Sequence, residues 1–425
     1  MRYKFKLCWR LTLFLLGGGT LATAQPSSSV RHWGYAVEVL PGKVLVMDRY
    51  QSLYQKGKNN MALSAELTYT TQPADSDVVD KEYGFPTFGI GLLYCANHRV
   101  TMHREANVEW GQLVPVAYES RLGNTCTLYG TFERPFLRLN HWQLDYLLKF
   151  GIGYSHNKYD RTNAIDNELI GSRWLFFFGT GVQMIYRLSA DWGVQLGFSY
   201  YHHSNGALNR PNKGSNFLSP TIGICCTPDI QSTRSSTVSN KRESLFKPYT
   251  YFNLTVGIGA KALDEDWKRT QFETAPGSVD YRTDHFKRYI AYSLQADIMR
   301  RYAHRWASGV GLDLFYGSYA GHVESLDKTN GRVLMHSPWS VGIAAKHEAF
   351  YHSLSCAMAL GTYLYRHMGF RARELEKPYY ERVGIHYTLN RWGRIQVGVN
   401  VKAHLTKADL TEVSFGIPLR LGHKQ

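Results

Sequence analysis

Alternation of apolar with polar or small residues is the feature that most restricts how this chain can fold. It is clearest near the C-terminus, where residues 395–405 place isoleucine, valine, alanine and leucine at every second position and residues 413–421 repeat the pattern. A period of two puts successive side chains on opposite faces of a strand. Runs of about ten such residues are typical of strands that cross a membrane within a closed barrel.

The first 24 residues are predicted to be a cleaved signal peptide. A basic segment precedes a short apolar stretch that glycines interrupt, and Ala22-Thr23-Ala24 fits the small-x-small cleavage rule. The mature chain would then begin near Gln25. No run of about 18 apolar residues follows, so we expect no membrane-spanning helix.

The charge distribution indicates which partners the chain could bind, and the cysteines indicate whether it holds a metal or a set of disulfides. The formal net charge is +15, but the basic residues are scattered among aromatics rather than gathered in an arm or a helix. This distribution favours an anionic lipid or membrane surface as the binding partner, and we expect no nucleic-acid partner. The cysteines after residue 24 are odd in number and lack a CxxC pair, which indicates neither a zinc site nor a disulfide framework. We expect no metal and no cofactor.

The fold class that this pattern predicts is all-β: an antiparallel transmembrane outer-membrane barrel of roughly 14–16 strands. Turn signals separate the apolar-rich runs, such as residues 61–71, 141–155 and 249–263. Residues 25–235 and 236–425 have similar strand density, and we expect the second half to join the same barrel. The alternative is an eight-stranded barrel followed by a second barrel-like half.

One segment, residues 191–224, combines strand periodicity with catalytic residue types. His202 and Ser204 are two positions apart on the apolar face, so their side chains project the same way from Cα atoms about 6.6 Å apart. A serine hydroxyl within reach of an imidazole is the arrangement that generates a nucleophile. His203 has the opposite parity, and we expect it to be non-catalytic. The long loop that follows Ser204 should be extracellular.

This segment resembles the PagL-type lipid A 3-O-deacylases, and especially the larger Bacteroidetes-type acyloxyacyl hydrolases. The resemblance rests on His202-x-Ser204-Asn205-Gly206 followed by Pro211-Asn212-x-Gly214. Residues 83–91 and Ile170-Gly171-Ser172 are also similar to that group, and residues 402–412 are similar to its larger members.

The resemblance implies a role for each matching residue. Ser204 would be the nucleophile, His202 the general base, and Asn205 with Gly206 the oxyanion hole. Smaller members of the family carry a glutamate twelve residues after the serine to orient the histidine, and the same count here gives Asn216. An amide can accept from the ring N–H and fix its tautomer, but it cannot stabilise imidazolium with a charge.

The resemblance also implies a function and a location. The protein would be a carboxylic ester hydrolase of the bacterial outer membrane that removes an ester-linked 3-hydroxy fatty acyl chain from the lipid A of lipopolysaccharide, with outer-membrane lipids around it. Read without the resemblance, the residues leave two alternatives open. One is a catalytically silent porin or structural barrel, and the other is a soluble exported binding protein.

Overall fold

The computed structural model describes residues 30–110, 114–228, 230, 246–369, 377–392, 394–405 and 407–422, and these form two closed antiparallel barrels of eight strands each. The predicted signal peptide, residues 1–24, lies outside the described residues.

The N-terminal barrel closes because its first strand pairs with both its second and its last strand. A short extension of two small strands, β4 (Val100–Met102) and β5 (Ser120–Arg121), continues from β2. The barrel strands are β1 (Trp33–Val44), β2 (Gln55–Thr70), β3 (Thr87–Ala96), β6 (Thr125–Arg138), β7 (Trp142–Ser155), β8 (Trp174–Arg187), β9 (Trp192–Ser204) and β10 (Ser215–Cys226).

The C-terminal barrel closes in the same way, through pairing of its first strand with its last. Its strands are β11 (Tyr249–Ala262), β12 (Arg288–Arg301), β13 (Trp306–Gly317), β14 (Trp339–Tyr351), β15 (Leu354–Arg366), β16 (Tyr379–Leu389), β17 (Ile395–His404) and β18 (Lys407–Leu421).

The division into two barrels corrects one expectation from the sequence. The sixteen strands of the two rings reach the predicted number, but the described strands within residues 236–425 do not join the barrel of the first half. The reason is that β11 uses both of its edges on β12 and β18, and β1 uses both of its edges on β2 and β10. A strand paired on both sides offers no edge to the other half, so the eight-plus-eight alternative is the observed fold.

Helices occupy the connections between strands. They are α1 (Arg49–Tyr54), α2 (Val78–Glu82), α3 (Asp264–Lys268) and α4 (Ala320–Thr329), with a π-helical turn at Arg269–Glu273 and 3₁₀ turns at Pro73–Asp75, Val108–Trp110 and Asn390–Trp392. Among the described residues, none of these helices is long and apolar enough to cross a membrane.

Side chains alternate between an apolar exterior and a packed, largely polar interior. On β9, Leu196 and Phe198 are 44% and 48% exposed on the outside, whereas Gln195 and Ser199 are buried in the lumen. Charged lumen residues pair with one another; in the C-terminal barrel, for example, Lys346 Nζ lies 2.8 Å from Asp313 Oδ1. Apolar-out with polar-in is the pattern of transmembrane barrels.

The two barrels make contacts with one another at both ends. At the end that holds the long loops of both barrels, Ala262 N donates to Ala207 O over 2.8 Å. At the opposite end, Tyr83 Oη donates to Phe350 O over 2.8 Å, and His304 Nδ1 lies 2.7 Å from Glu82 Oε1. The loop after β9 therefore lies next to the C-terminal barrel.

Candidate active site

The structure brings His202, Ser204 and Asn216 together where β9 ends. His202 is the register partner of Asn216 on β10, and Ser204 is the partner of Phe176 on β8. His202 and Ser204 share the parity of Leu196 and project from the outer surface of the barrel, as the sequence predicts. Ser204 is only 8% exposed, so the hydroxyl lies in a sheltered position rather than on an open face.

Hydrogen bonds fix the orientation of the Asn216 amide. Its Oδ1 lies 2.7 Å from His202 Nδ1 and accepts a second bond of 2.6 Å from Tyr200 Oη. Its Nδ2 donates to Gly214 O over 3.4 Å. Because a tyrosine hydroxyl also donates to Oδ1, this oxygen acts as an acceptor toward the ring, which places the imidazole proton on Nδ1. Nε2 is then left unprotonated and able to accept.

Tyr200 is a member of the site that the sequence analysis missed. It lies two residues before His202, so it shares the outward face of β9 with His202 and Ser204. Strand parity was the signal that could have found it. Its hydroxyl contacts the same amide oxygen as the histidine, so it contributes to holding Asn216 in place.

The Ser204 hydroxyl makes no hydrogen bond to His202 or to any other residue in the described part of the chain. Catalytic hydrogen bonds in uncomplexed enzymes are commonly long or misaligned, and they tighten when substrate binds. The arrangement therefore places Ser204 and His202 on the same face of β9 without a hydrogen bond between them.

Gly214 has a packing reason to be glycine. It adopts a left-handed backbone with φ of +76°, and a Cβ at this position would lie 2.3 Å from His202 Cε1. Any side chain here would push the imidazole away from its place. The glycine of the Pro-Asn-x-Gly motif thus allows the loop backbone to approach the histidine closely.

Asn205 has the features of an oxyanion-hole donor. It is 2% exposed, and its Nδ2 is buried with no hydrogen-bond partner among the described residues. The rest of the residue is held: its backbone N donates to Asn212 Oδ1 over 2.8 Å, and its Oδ1 accepts from Asn209 N over 3.3 Å. A fixed, unpaired donor beside a nucleophile can stabilise a developing negative charge. Gly206, the second predicted member, follows it with φ of +61°.

His203 lies inside the barrel, as its parity predicts. It is 1% exposed, and its Nε2 lies 2.8 Å from the Thr127 hydroxyl on β6, across the lumen. The ring also packs against Phe177 at a centroid distance of 4.9 Å. This histidine is part of the packed interior and points away from Ser204.

A second serine–histidine pair lies on the C-terminal barrel. Ser308 Oγ is 2.9 Å from His347 Nδ1, and the two residues are register partners on β13 and β14. The sequence analysis missed this pair because its members lie on different strands. The sequences after Ser308 and after His347 lack the Asn-Gly and Pro-Asn-x-Gly motifs that follow Ser204.

One cluster of the described residues, Asp77, Asp80 and His352, has the composition of a metal site. Asp77 Oδ1, however, already accepts from the backbone N of Val79 and Asp80, at 2.8 and 3.0 Å, as the cap of α2. These bonds give the carboxylate a structural role as the N-terminal cap of that helix.

Two family models match this chain. Residues 96–224 match the one described as lipid A 3-O-deacylase (PagL), and residues 252–421 match the one described as acyloxyacyl hydrolase, C-terminal domain. The first match covers the site and most of the N-terminal barrel, the second covers nearly all of the C-terminal barrel, and together they span more than half of the chain. The chain belongs to the PagL-type lipid A deacylase and acyloxyacyl hydrolase family. The resemblance stated from the sequence is thereby confirmed.

Other comparisons add little to this family assignment. No curated protein matches the chain. Solved outer-membrane proteins align over most of its length. Pseudomonas aeruginosa OccK8 (OprE) covers 92% of this chain and 98% of its own at 9% identity and a TM-score of 0.22. The P. putida toluene transporter TodX covers 93% and 92% at 7% identity and a TM-score of 0.18. Scores this low do not support a shared architecture.

Proposed function

We propose that this lipid A deacylase is an outer-membrane esterase that cuts an ester-linked 3-hydroxy fatty acyl chain from lipid A, with Ser204 as nucleophile. The family supports the substrate class. The observation that carries the mechanism is the 2.7 Å contact between His202 Nδ1 and Asn216 Oδ1 beside Ser204, which leaves Nε2 as the basic nitrogen.

The proposed reaction follows the logic of serine esterases. Ser204 Oγ attacks the acyl carbonyl while His202 Nε2 takes the hydroxyl proton. Asn205 Nδ2 and the backbone N–H of Gly206 donate to the oxyanion that forms. The intermediate collapses, the sugar oxygen leaves with the proton from His202, and the acyl chain stays on the serine. Water, deprotonated by His202, then releases the fatty acid and restores Ser204.

The outward position of the site suits a substrate that is itself a membrane lipid. Phe198 and Leu196 continue the same face of β9 away from the site, and both are exposed. In a membrane this face would contact hydrocarbon, so an acyl chain of a lipid in the same leaflet could lie along the strand with its ester near Ser204. We therefore propose that the reaction takes place on the lipid-facing surface of the barrel.

The packing of the lumen favours this proposal over a silent porin. Beside the site, the interior of the N-terminal barrel is filled by Tyr129, Phe177, Tyr201 and Phe217, each at most 4% exposed. Tyr201 and Phe217 stack at a centroid distance of 5.1 Å. An eight-stranded ring has an interior just wide enough for side chains, whereas porins use sixteen or more strands to enclose a channel.

Mass spectrometry of lipid A tests the proposed activity. Lipid A is extracted from cells with and without the gene, in an otherwise identical strain. We expect the mass of one 3-hydroxyacyl group to be lost only when the gene is present. An identical lipid A profile in both strains, with the protein folded in the outer membrane, would favour the silent barrel.

A further inference from the structure

The loop that follows Ser204, residues 205–214, is held from two sides. We call it the oxyanion loop because it begins with Asn205 and Gly206. Two contacts tie it to the N-terminal barrel: Gly214 N donates to Leu169 O over 2.9 Å, and Asn209 Nδ2 donates to Gly171 O over 2.7 Å. Its near half, next to the serine, contacts the C-terminal barrel.

Two contacts of the near half lie closest to the serine. Thr411 Oγ1, on β18, donates to Gly206 O over 2.6 Å. Ala262 N, at the end of β11, donates to Ala207 O over 2.8 Å. Successive carbonyl groups of the oxyanion loop are therefore bound by the other barrel.

We propose that Thr411 is a positioning residue for the oxyanion hole, so that the C-terminal barrel completes the catalytic site of the N-terminal one. This inference rests on the proposed function. Binding of the Gly206 carbonyl fixes the plane of the peptide that follows. The Gly206 N–H lies in the preceding peptide, on the other side of the Gly206 Cα, and Asn205 comes before that peptide. The directions of both donors therefore depend on how the Gly206 carbonyl is held.

The backbone of the near half is one that needs such support. Gly206 and Ala207 both have left-handed backbones, with φ of +61° and +70°. This conformation is natural for glycine but disfavoured for alanine, whose Cβ approaches the following carbonyl. Ala207 is fully buried, at 0% exposed, and its carbonyl is held by Ala262. The surrounding structure therefore maintains the turn against its local preference.

Burial along β18 marks Thr411 as the place where the strand meets the loop. Thr411 is 7% exposed, whereas Val413 and Phe415, the next outward residues, are 43% and 48% exposed. The approach is close: a Cβ on Gly206 would lie 2.2 Å from Thr411 Oγ1. Any side chain at position 206 would therefore collide with the Thr411 hydroxyl, and only glycine leaves room for this hydrogen bond.

Arg210 provides a second anchor on the same barrel. It is 4% exposed, its Nε donates to Ala262 O over 2.8 Å, and its Nη1 lies 3.6 Å from Asp264. Burial by itself would raise the pKa of the Asp264 carboxyl, but Lys407, Arg210 and Lys268 offset this and hold it well below its usual range. The carboxylate therefore remains charged at neutral pH, and the anchor remains in place.

A set of threonine variants tests the role of the Thr411 hydroxyl. Thr411→Val keeps the shape and removes the donor, and Thr411→Ser keeps the donor. We expect Thr411→Val to lower kcat about 10- to 100-fold with little change in KM, because a misplaced oxyanion donor weakens only transition-state binding. Thr411→Ser should recover most of that loss.

The matched control is Thr362→Val. Thr362 Oγ1 donates to Pro378 O over 3.0 Å, also on the C-terminal barrel but at a different loop. This change removes the same kind of bond and should leave kcat and KM at the parent values. Heat-modifiable migration in gels verifies that each variant is a folded barrel. Should Thr411→Val not fold, Asp264→Asn decides in its place. It weakens the Arg210 anchor and the Lys407 contact at the start of β18 but leaves Thr411 itself unchanged, and it should also lower kcat.

The outcomes separate this inference from the proposed function. If Thr411→Val, or Asp264→Asn in its place, retains the kcat of Thr362→Val while Ser204→Ala is inactive, the positioning role is overturned and the esterase stands. If Ser204→Ala retains parent activity, the proposed function itself fails, and the positioning role fails with it. A fall in kcat that Thr411→Ser does not recover would also overturn the role, because it would show that the hydroxyl is not what matters.

Discussion

His202 and Asn216 are direct register partners across β9 and β10, and their side chains meet at 2.7 Å between Nδ1 and Oδ1. The amide lies where smaller members of the family are expected to carry a carboxylate. It can hold the ring and its tautomer by a neutral hydrogen bond, without a charge to stabilise imidazolium.

Replacement of Asn216 tests what holds the histidine. Asn216→Leu removes the acceptor and should lower kcat about 100-fold or more, because the imidazole loses its fixed tautomer. Asn216→Glu restores a carboxylate and should keep or raise activity. Fatty acid release from lipid A in detergent measures both variants. Equal activity of Asn216→Leu and the parent would show that the amide does not orient the base.

Tyr200 should have a smaller effect than Asn216. Tyr200→Phe removes one of the two bonds to Oδ1 and leaves the histidine bond in place. We expect kcat to fall about two- to tenfold, which corresponds to the roughly 0.5–1.5 kcal/mol of a neutral hydrogen bond. The same assay measures it. A loss as large as that of Asn216→Leu would mean that the tyrosine acts directly in the reaction.

The outer surface of β9 should tolerate charge poorly. Leu196 is 44% exposed on the outward face of the strand, so Leu196→Arg should destabilise the barrel by about 2–4 kcal/mol if this face contacts hydrocarbon. Leu188, 65% exposed in the turn before β9, is the matched control, and Leu188→Arg should change stability by about 0–1 kcal/mol. Urea unfolding from liposomes compares the two. Similar values would place the Leu196 face outside the bilayer core.

His203 should matter for stability and not for chemistry. His203→Ala leaves the buried Thr127 hydroxyl without its partner and should destabilise folding by about 1–3 kcal/mol. The folded fraction should retain most of the parent kcat, because the side chain points into the lumen. Unfolding midpoints and the turnover of folded protein give the two values. Loss of turnover in fully folded protein would contradict the assignment of His202 as the base.

Local periodicity in the sequence was enough to predict the strands and the face on which each side chain lies. Alternation along β17 and β18 predicted strands, and parity along β9 separated His202 and Ser204 from His203. The pairing of β11 with β18 could not be read in this way, because it depends on contacts between residues more than 150 positions apart, such as Thr250 and Leu421. The number of rings therefore remained open until the strand partners were known.

In the candidate site too, residues close together in the sequence could be predicted, whereas contacts between distant residues could not. Asn216 could be reached by counting from Ser204, and Tyr200 could have been reached by parity. Thr411 could not, because 205 residues separate it from Gly206 and nothing around it in the sequence suggests a catalytic role. The Ser308–His347 pair was missed for a similar reason, since 39 residues separate its members.

That second pair provides the control for the most direct test of the account. Ser204→Ala and Ser308→Ala each remove one hydroxyl that lies beside a histidine on the outside of a barrel, and the assay is release of 3-hydroxy fatty acid from lipid A in detergent. The account predicts that Ser204→Ala is folded and inactive, whereas Ser308→Ala is folded and releases fatty acid at the parent rate. Release at the parent rate by Ser204→Ala would contradict the central claim that Ser204 is the nucleophile.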